Sequence, residues 1–134
     1  MRVAAIDRSQ AVEQDSSPGS HFSGKVYIQQ LCTAPDDGEI EFLAVYFAAG
    51  ARNKPHIHQH DQYLQIVEGR GIVATENERR IVSAGDVVFI PARAWHWHGA
   101  TRDSAMMHLS IRRPDSGHAM WDVDQRDWAT AYDK

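Results

Sequence analysis

From His21 onward the chain alternates short apolar runs with turn residues, a rhythm of about ten residues that belongs to strands rather than helices. The segment HFSGKVYIQQLC sets Val26, Ile28 and Leu31 as apolar positions and predicts one strand, ended by the turn Pro35-Asp36-Asp37-Gly38. Ile40 to Phe47, IEFLAVYF, is rich in β-branched and aromatic residues and predicts a strand with Leu43, Val45 and Phe47 on one face. Tyr63 to Val67 predicts another, closed by Glu68-Gly69. Gly71 to Thr75 and Arg79 to Ser83 flank Glu76-Asn77-Glu78 as a hairpin. Val87 to Ile90 is a continuous apolar run stopped by Pro91, and Ala94 to His98 and Met106 to Ile111 complete the strands.

Strands at this spacing, with turns between them, predict an all-β antiparallel sandwich or barrel. After Pro114 the alternation ends. There Asp124 is placed to cap a short C-terminal helix over Gln125 to Tyr132, with Trp128 and Tyr132 on one face. Residues 7–20 are polar and close on Ser17-Pro18-Gly19-Ser20, so that 1–20 reads as an N-terminal arm before a barrel and helical tail over 21–134.

Length and charge narrow the function classes. At 134 residues the chain is one domain, and a formal charge of −4 with scattered Lys and Arg gives no footprint for nucleic acid. There is no apolar run long enough to span a membrane, and Cys32 stands alone, so no intrachain disulfide is expected. The expected setting is cytoplasmic.

The chemistry concentrates between Gly50 and Gly69, GARNKPHIHQHDQYLQIVEG. In an extended segment His56, His58 and possibly His60 point the same way, and imidazoles aimed at one spot suggest a metal. His96 and His98 share a face of a later strand. His108 falls in phase with Met106, Ser110 and Arg112, opposite Met107, Leu109 and Ile111.

Two spaced signatures line up: Gly50, five residues, His56, one, His58, three, Gln62, six, Gly69; then Gly85, five residues, Pro91 and His96. They resemble the two cupin motifs, with Gln62 where the family pattern has glutamate, Arg93 where it has glycine and Ala100 where it has asparagine. Residues 21–132, through HFSGKV, GAR, WHWHGA and AMMHL, look like the small bacterial cupins that include the cupin-type hydroxynitrile lyases and cupins associated with carboxymuconolactone decarboxylases.

The resemblance implies a small antiparallel β-barrel of the cupin or jelly-roll kind. It implies one divalent metal ion per chain, held by His56, His58, Gln62 and His96. Manganese(II) or iron(II) is favoured by the resemblance, and imidazole donors also admit nickel, zinc or copper. It places His108 beside the metal as acid or base. His98 is expected to hold a ligand or substrate, and His60 to lie in the loop at the barrel mouth. Because Gln62 is neutral, the ion would keep its full charge and act as a Lewis acid. Leu43, Val45, Phe47, Phe89 and Met106 are expected to narrow the pocket, with Arg112 at its flank, around a small-molecule substrate. His21 and His118 are expected at the surface without a role.

Lyase chemistry of the hydroxynitrile-lyase type is the expected activity. A metal-dependent dioxygenase acting on a small aromatic or carbonyl substrate is the alternative enzyme, and a non-catalytic metal-binding or sensing module is the alternative outside enzymes. A homodimer is expected, paired through residues 21–31 or the N-terminal arm.

Overall fold

A computed structural model describes residues 1–116 and the backbone strand Met120–Trp121. The expected helix over 125–132 lies outside the described residues. After a single 3-10 turn at Arg8–Gln10, the strands are β1 (Val12–Glu13), β2 (Phe22–Ser23), β3 (Val26–Gln30) and β4 (Glu41–Phe47). They continue as β5 (Arg52–Asn53), β6 (His56–Ile57), β7 (Gln62–Thr75) and β8 (Arg79–Ser83). The series ends with β9 (Val87–Ile90), β10 (His96–Ala100), β11 (Met106–Arg112) and β12 (Met120–Trp121).

All pairings are antiparallel and form one curled sheet. Its front half runs β1-β3-β4-β11-β7, with β9 on the far side of β7. Its back half runs β8-β7-β10, and β10 then pairs β5 through Gly99 and β6 through His96. Strand β7 belongs to both halves and closes the barrel. No helix among the described residues is long and apolar enough to cross a membrane.

β10 runs His96–Ala100 where Ala94 to His98 is expected, and two further strand boundaries differ for a reason visible in the backbone. The segment from His21 to Cys32 is split into β2 and β3, because Gly24 adopts φ +82 and turns the chain between the halves of the barrel. Glu68-Gly69 does not end β7. Gly69, at φ +74, kinks the strand where a Cβ would run into the Ala105 carbonyl, and pairing then resumes against β8 and β10.

The β7–β11 register slips beside this kink, where Met107 faces Glu68 but His108 faces Ile66. Val67 is the extra residue, a bulge that leaves Ile66 opposite His108 and Gly69 opposite Met106, both inward residues of β11. Inward rows therefore cross three strands: Glu41, Arg112 and Gln62; Leu43, Ser110 and Leu64; Val45, His108 and Ile66. Polar rows lie toward the mouth and apolar ones deeper.

The interior cluster contains Val26, Val45, Phe47, Leu64, Ile66, Val73, Val82, Ile90 and Met106, contributed by both halves of the sheet. A second cluster of Leu31, Ala44, Tyr46, Met107 and Leu109 takes Ala11 against it. The N-terminal segment lies along this surface. Its Arg8 guanidinium sits 4.8 Å above the Tyr46 ring, the Asp7 amide donates to Gln29 Oε1 at 2.9 Å, and β1 pairs with β3.

Candidate metal centre

His56 and His96 are direct cross-strand partners on β6 and β10, and His58 follows His56 two residues on. Ring nitrogens of His56, His58 and His96 all lie within 4.8 Å of one another, and all three side chains are buried. Pro55, itself buried, fixes the approach of the chain to His56, and strand alternation aims both β6-side rings inward.

Each ring is held at Nδ1. His56 Nδ1 lies 2.7 Å from the Lys54 carbonyl oxygen and His96 Nδ1 lies 2.9 Å from that of Ala94. His58 Nδ1 lies 2.8 Å from Asp115 Oδ2. These oxygens only accept, so Nδ1 carries the hydrogen in each ring and Nε2 keeps a bare lone pair. Three buried lone pairs converge on one region.

Gln62 lies beside the three rings. Its Nε2 donates to Ser110 Oγ at 2.9 Å, which turns Oε1 toward His96 Nε2 at 3.1 Å. Burial holds the pKa of His96 down to about 4, so the ring is neutral at pH 7. Nε2 and Oε1 are then two acceptors facing each other with no proton between them. A cation between them would relieve this contact, and three imidazoles with an amide oxygen beside them are donors that suit a divalent transition metal.

The other rings are also neutral. His56 is pushed well below its ordinary value by burial and then by His96 and His58, and His58 is lowered by burial and by Arg112. His98 is lowered far by burial, then by His108, and burial brings His108 to about 4. Neutral imidazoles can bind a metal without first losing a proton.

His98 and His108 form a second pair. Asn53 grips His98 from both sides, accepting its backbone N–H at 2.9 Å and placing Nδ2 3.1 Å from Nε2. His108 Nε2 lies 3.1 Å from His98 Nδ1, whereas His108 Nδ1 meets only its own backbone and makes no well-formed hydrogen bond. Phe47 packs against the His108 ring at 5.3 Å.

The histidines open onto a cavity of about 260 Å³ lined by Phe22, Ile28, Leu43, Val45 and Phe47, with His56, His58, Gln62, His98 and His108 on its polar side. Glu41 and Arg112, paired at 3.1 Å, stand on its wall with Gln14 and His21. Of the pocket residues expected from sequence, Leu43, Val45, Phe47 and Arg112 line this space and two do not. Phe89 is 52% exposed on the outer side of β9, where its ring lies 5.3 Å from that of its cross-strand partner Tyr63, tilted against it. Val87 to Ile90 is apolar throughout, so the sequence carries no alternation to fix its phase. Met106 is inward but sits in the apolar interior against Gly71, away from the cavity.

A cupin domain matches residues 43–112, which hold every one of these histidines except His21. The chain is a cupin. It is 34% identical over 116 residues to a protein of Granulicella tundricola named (R)-mandelonitrile lyase, covering 86% of this chain and 88% of that one. Among solved structures, a cupin-like protein from Thermotoga maritima shares 31% identity with a TM-score of 0.71, over 88% of this chain and 94% of its own. A cupin 2 conserved barrel domain protein from Rhodopseudomonas palustris, 19% identical, superposes over 100% of this chain and 94% of its own with a TM-score of 0.77.

Several residues of this cupin's site carry no role in the linear reading. Asp115 lies 57 positions from the histidine it holds, and Asn53 lies 45 from His98. Ser110 had a usable signal, its phase with His108. His21, expected at the surface without a role, lines the cavity though it is exposed. His60, half-buried, stays outside the histidine cluster.

Proposed function

We propose that this cupin is a metal-dependent lyase that splits a small cyanohydrin into an aldehyde and cyanide. The observation that carries the reading is the Gln62 amide oxygen, turned by Ser110 toward His96 beside a neutral His98–His108 pair. The likeness to a protein named (R)-mandelonitrile lyase supports it. His56, His58, Gln62 and His96 are the proposed ligands, with manganese(II) or iron(II) as the proposed metal. When bound, such an ion would supply Lewis acidity undiminished by a carboxylate ligand, drawing electron density from a substrate oxygen.

The protein's own groups do the rest. Leu43, Val45, Phe47 and Ile28 receive the apolar part of the substrate and exclude water around it. His108, neutral because it is buried, accepts the proton of the cyanohydrin hydroxyl. As the O–H pair becomes the carbonyl π bond, the C–C bond to the nitrile breaks and its electrons leave on cyanide. The imidazolium then returns the proton, releasing hydrogen cyanide. His98, anchored by Asn53, keeps the His108 ring in place through this cycle.

The test is benzaldehyde release from mandelonitrile by manganese-loaded protein, with chelated protein and His108→Ala as comparisons. Loss of a general base should cost about 10²–10⁴ in rate. Fully metallated protein that releases benzaldehyde no faster than buffer sinks the lyase reading. Oxygen uptake by the iron form on adding an aromatic substrate would favour the dioxygenase instead.

A further inference from the structure

The three cluster histidines are not held alike. His56 and His96 donate to backbone carbonyls, which no side-chain substitution removes, whereas His58 donates to the Asp115 carboxylate at 2.8 Å. The Asp115 side chain is 6% exposed. Its second oxygen accepts the Gln59 amide at 2.8 Å, and Arg112 approaches at 3.4 Å while also pairing with Glu41. Both of its oxygens thus accept hydrogens, from the His58 ring and the Gln59 backbone, beside the Arg112 guanidinium, the setting of a carboxylate.

Charge makes this contact more than a tether. With Gln62 in the donor set, all four proposed ligands are neutral. A carboxylate that accepts Nδ1–H fixes the imidazole tautomer and raises the basicity of Nε2. We infer that Asp115 is a positioning residue for the metal, supplying through His58 the negative charge that Gln62 leaves out of the donor set. This inference rests on the four-ligand reading above.

A plainer role is conceivable for the same residue. Gln59 and Ser116 also clasp the loop, with Ser116 N–H donating to Gln59 Oε1 at 2.8 Å and Gln59 Nε2 donating to the Ser116 carbonyl at 2.9 Å. Asp115 could simply pin that loop. The two roles separate by measurement.

The experiment is manganese(II) affinity by chelator competition on the full chain, with the melting temperature of the metal-free form, for wild type, Asp115→Asn, Asp115→Glu and Gln59→Ala. Asp115→Asn should bind manganese about 10- to 100-fold more weakly, with its metal-free melting temperature unchanged. Asp115→Glu should recover most of the affinity, and Gln59→Ala should keep it. Unchanged affinity in Asp115→Asn overturns the inference. So does an equal loss in Gln59→Ala, or a fall in metal-free stability that accompanies the loss, since both assign Asp115 to the loop clasp. Wild-type protein that takes up no metal overturns the four-ligand site itself, a separate failure visible before any variant is compared.

Discussion

His96 Nε2 and Gln62 Oε1 face each other at 3.1 Å, and neither atom has a hydrogen to give. The His96 hydrogen is committed to the Ala94 carbonyl, and the Gln62 amide nitrogen is turned to the other side, donating to Ser110 Oγ. Two buried acceptors in contact repel unless something positive lies between them. In the proposed four-ligand site, the choice of glutamine at position 62 would set the charge of the whole centre.

Gln62→Glu tests that link. The carboxylate would bind the ion more tightly and cancel one unit of its charge, weakening its pull on a substrate oxygen. Manganese affinity should rise while mandelonitrile turnover falls, by about 10-fold or more for a loss near 1.4 kcal/mol in the transition state. Affinity and turnover rising together would show that the charge of the centre does not limit the reaction.

His96→Ala removes one of three convergent rings. Purified variant protein should carry little metal, and chelation of wild type should lower its melting temperature. Metal at about 100 times its dissociation constant stabilises a fold by about 2.7 kcal/mol. Stoichiometric metal surviving in His96→Ala, measured by elemental analysis, would remove the four-ligand proposal.

Much of this site was legible because strand alternation is local. His56 and His58 follow from period-two geometry, and the inward row Leu43, Val45, Phe47 follows from one face of β4. His108 falls inward with Ser110 and Arg112 for the same reason. Legibility fails where the pattern is uniform or the partner distant. Phe89 sits in a run with no polar residue to set its phase, and Met106 has the correct phase but the wrong depth. Phase tells which face a residue occupies, and only the pairing of β11 with β4 and β7 tells how deep along the barrel it lies. Asn53 and Asp115 act across the sheet or from beyond β11, and no local rule reaches them.

His108 makes the metal-free fold sensitive to acid. Its pKa is about 4 in the folded chain, owing to burial, against 6.5 when unfolded. Between these values the unfolded chain binds more protons, so stability rises with pH through this window and is lost as pH falls from about 7 toward 4. At about 1.36 kcal/mol per tenfold change in proton affinity, His108 alone contributes on the order of 3 kcal/mol to that loss. Urea midpoints of the metal-free protein should fall on acidification, and the fall should be shallower in His108→Gln. Equal slopes would mean that the ring is not held neutral by the fold.

The cavity wall should control substrate preference separately from the metal. Leu43 and Val45 face the space beside His108, and Arg112 closes one side through its pairing with Glu41. A methylene gained or lost in an apolar pocket changes discrimination by about 1–3 kcal/mol. Leu43→Ala and Val45→Ala should therefore shift kcat/KM between mandelonitrile and a smaller aliphatic cyanohydrin by roughly 10-fold or more, with metal content unchanged. Arg112→Lys should act more strongly, because a point charge cannot bridge Glu41 and Asp115 as the planar guanidinium does. Turnover of both substrates untouched by all three changes would mean that the substrate binds elsewhere.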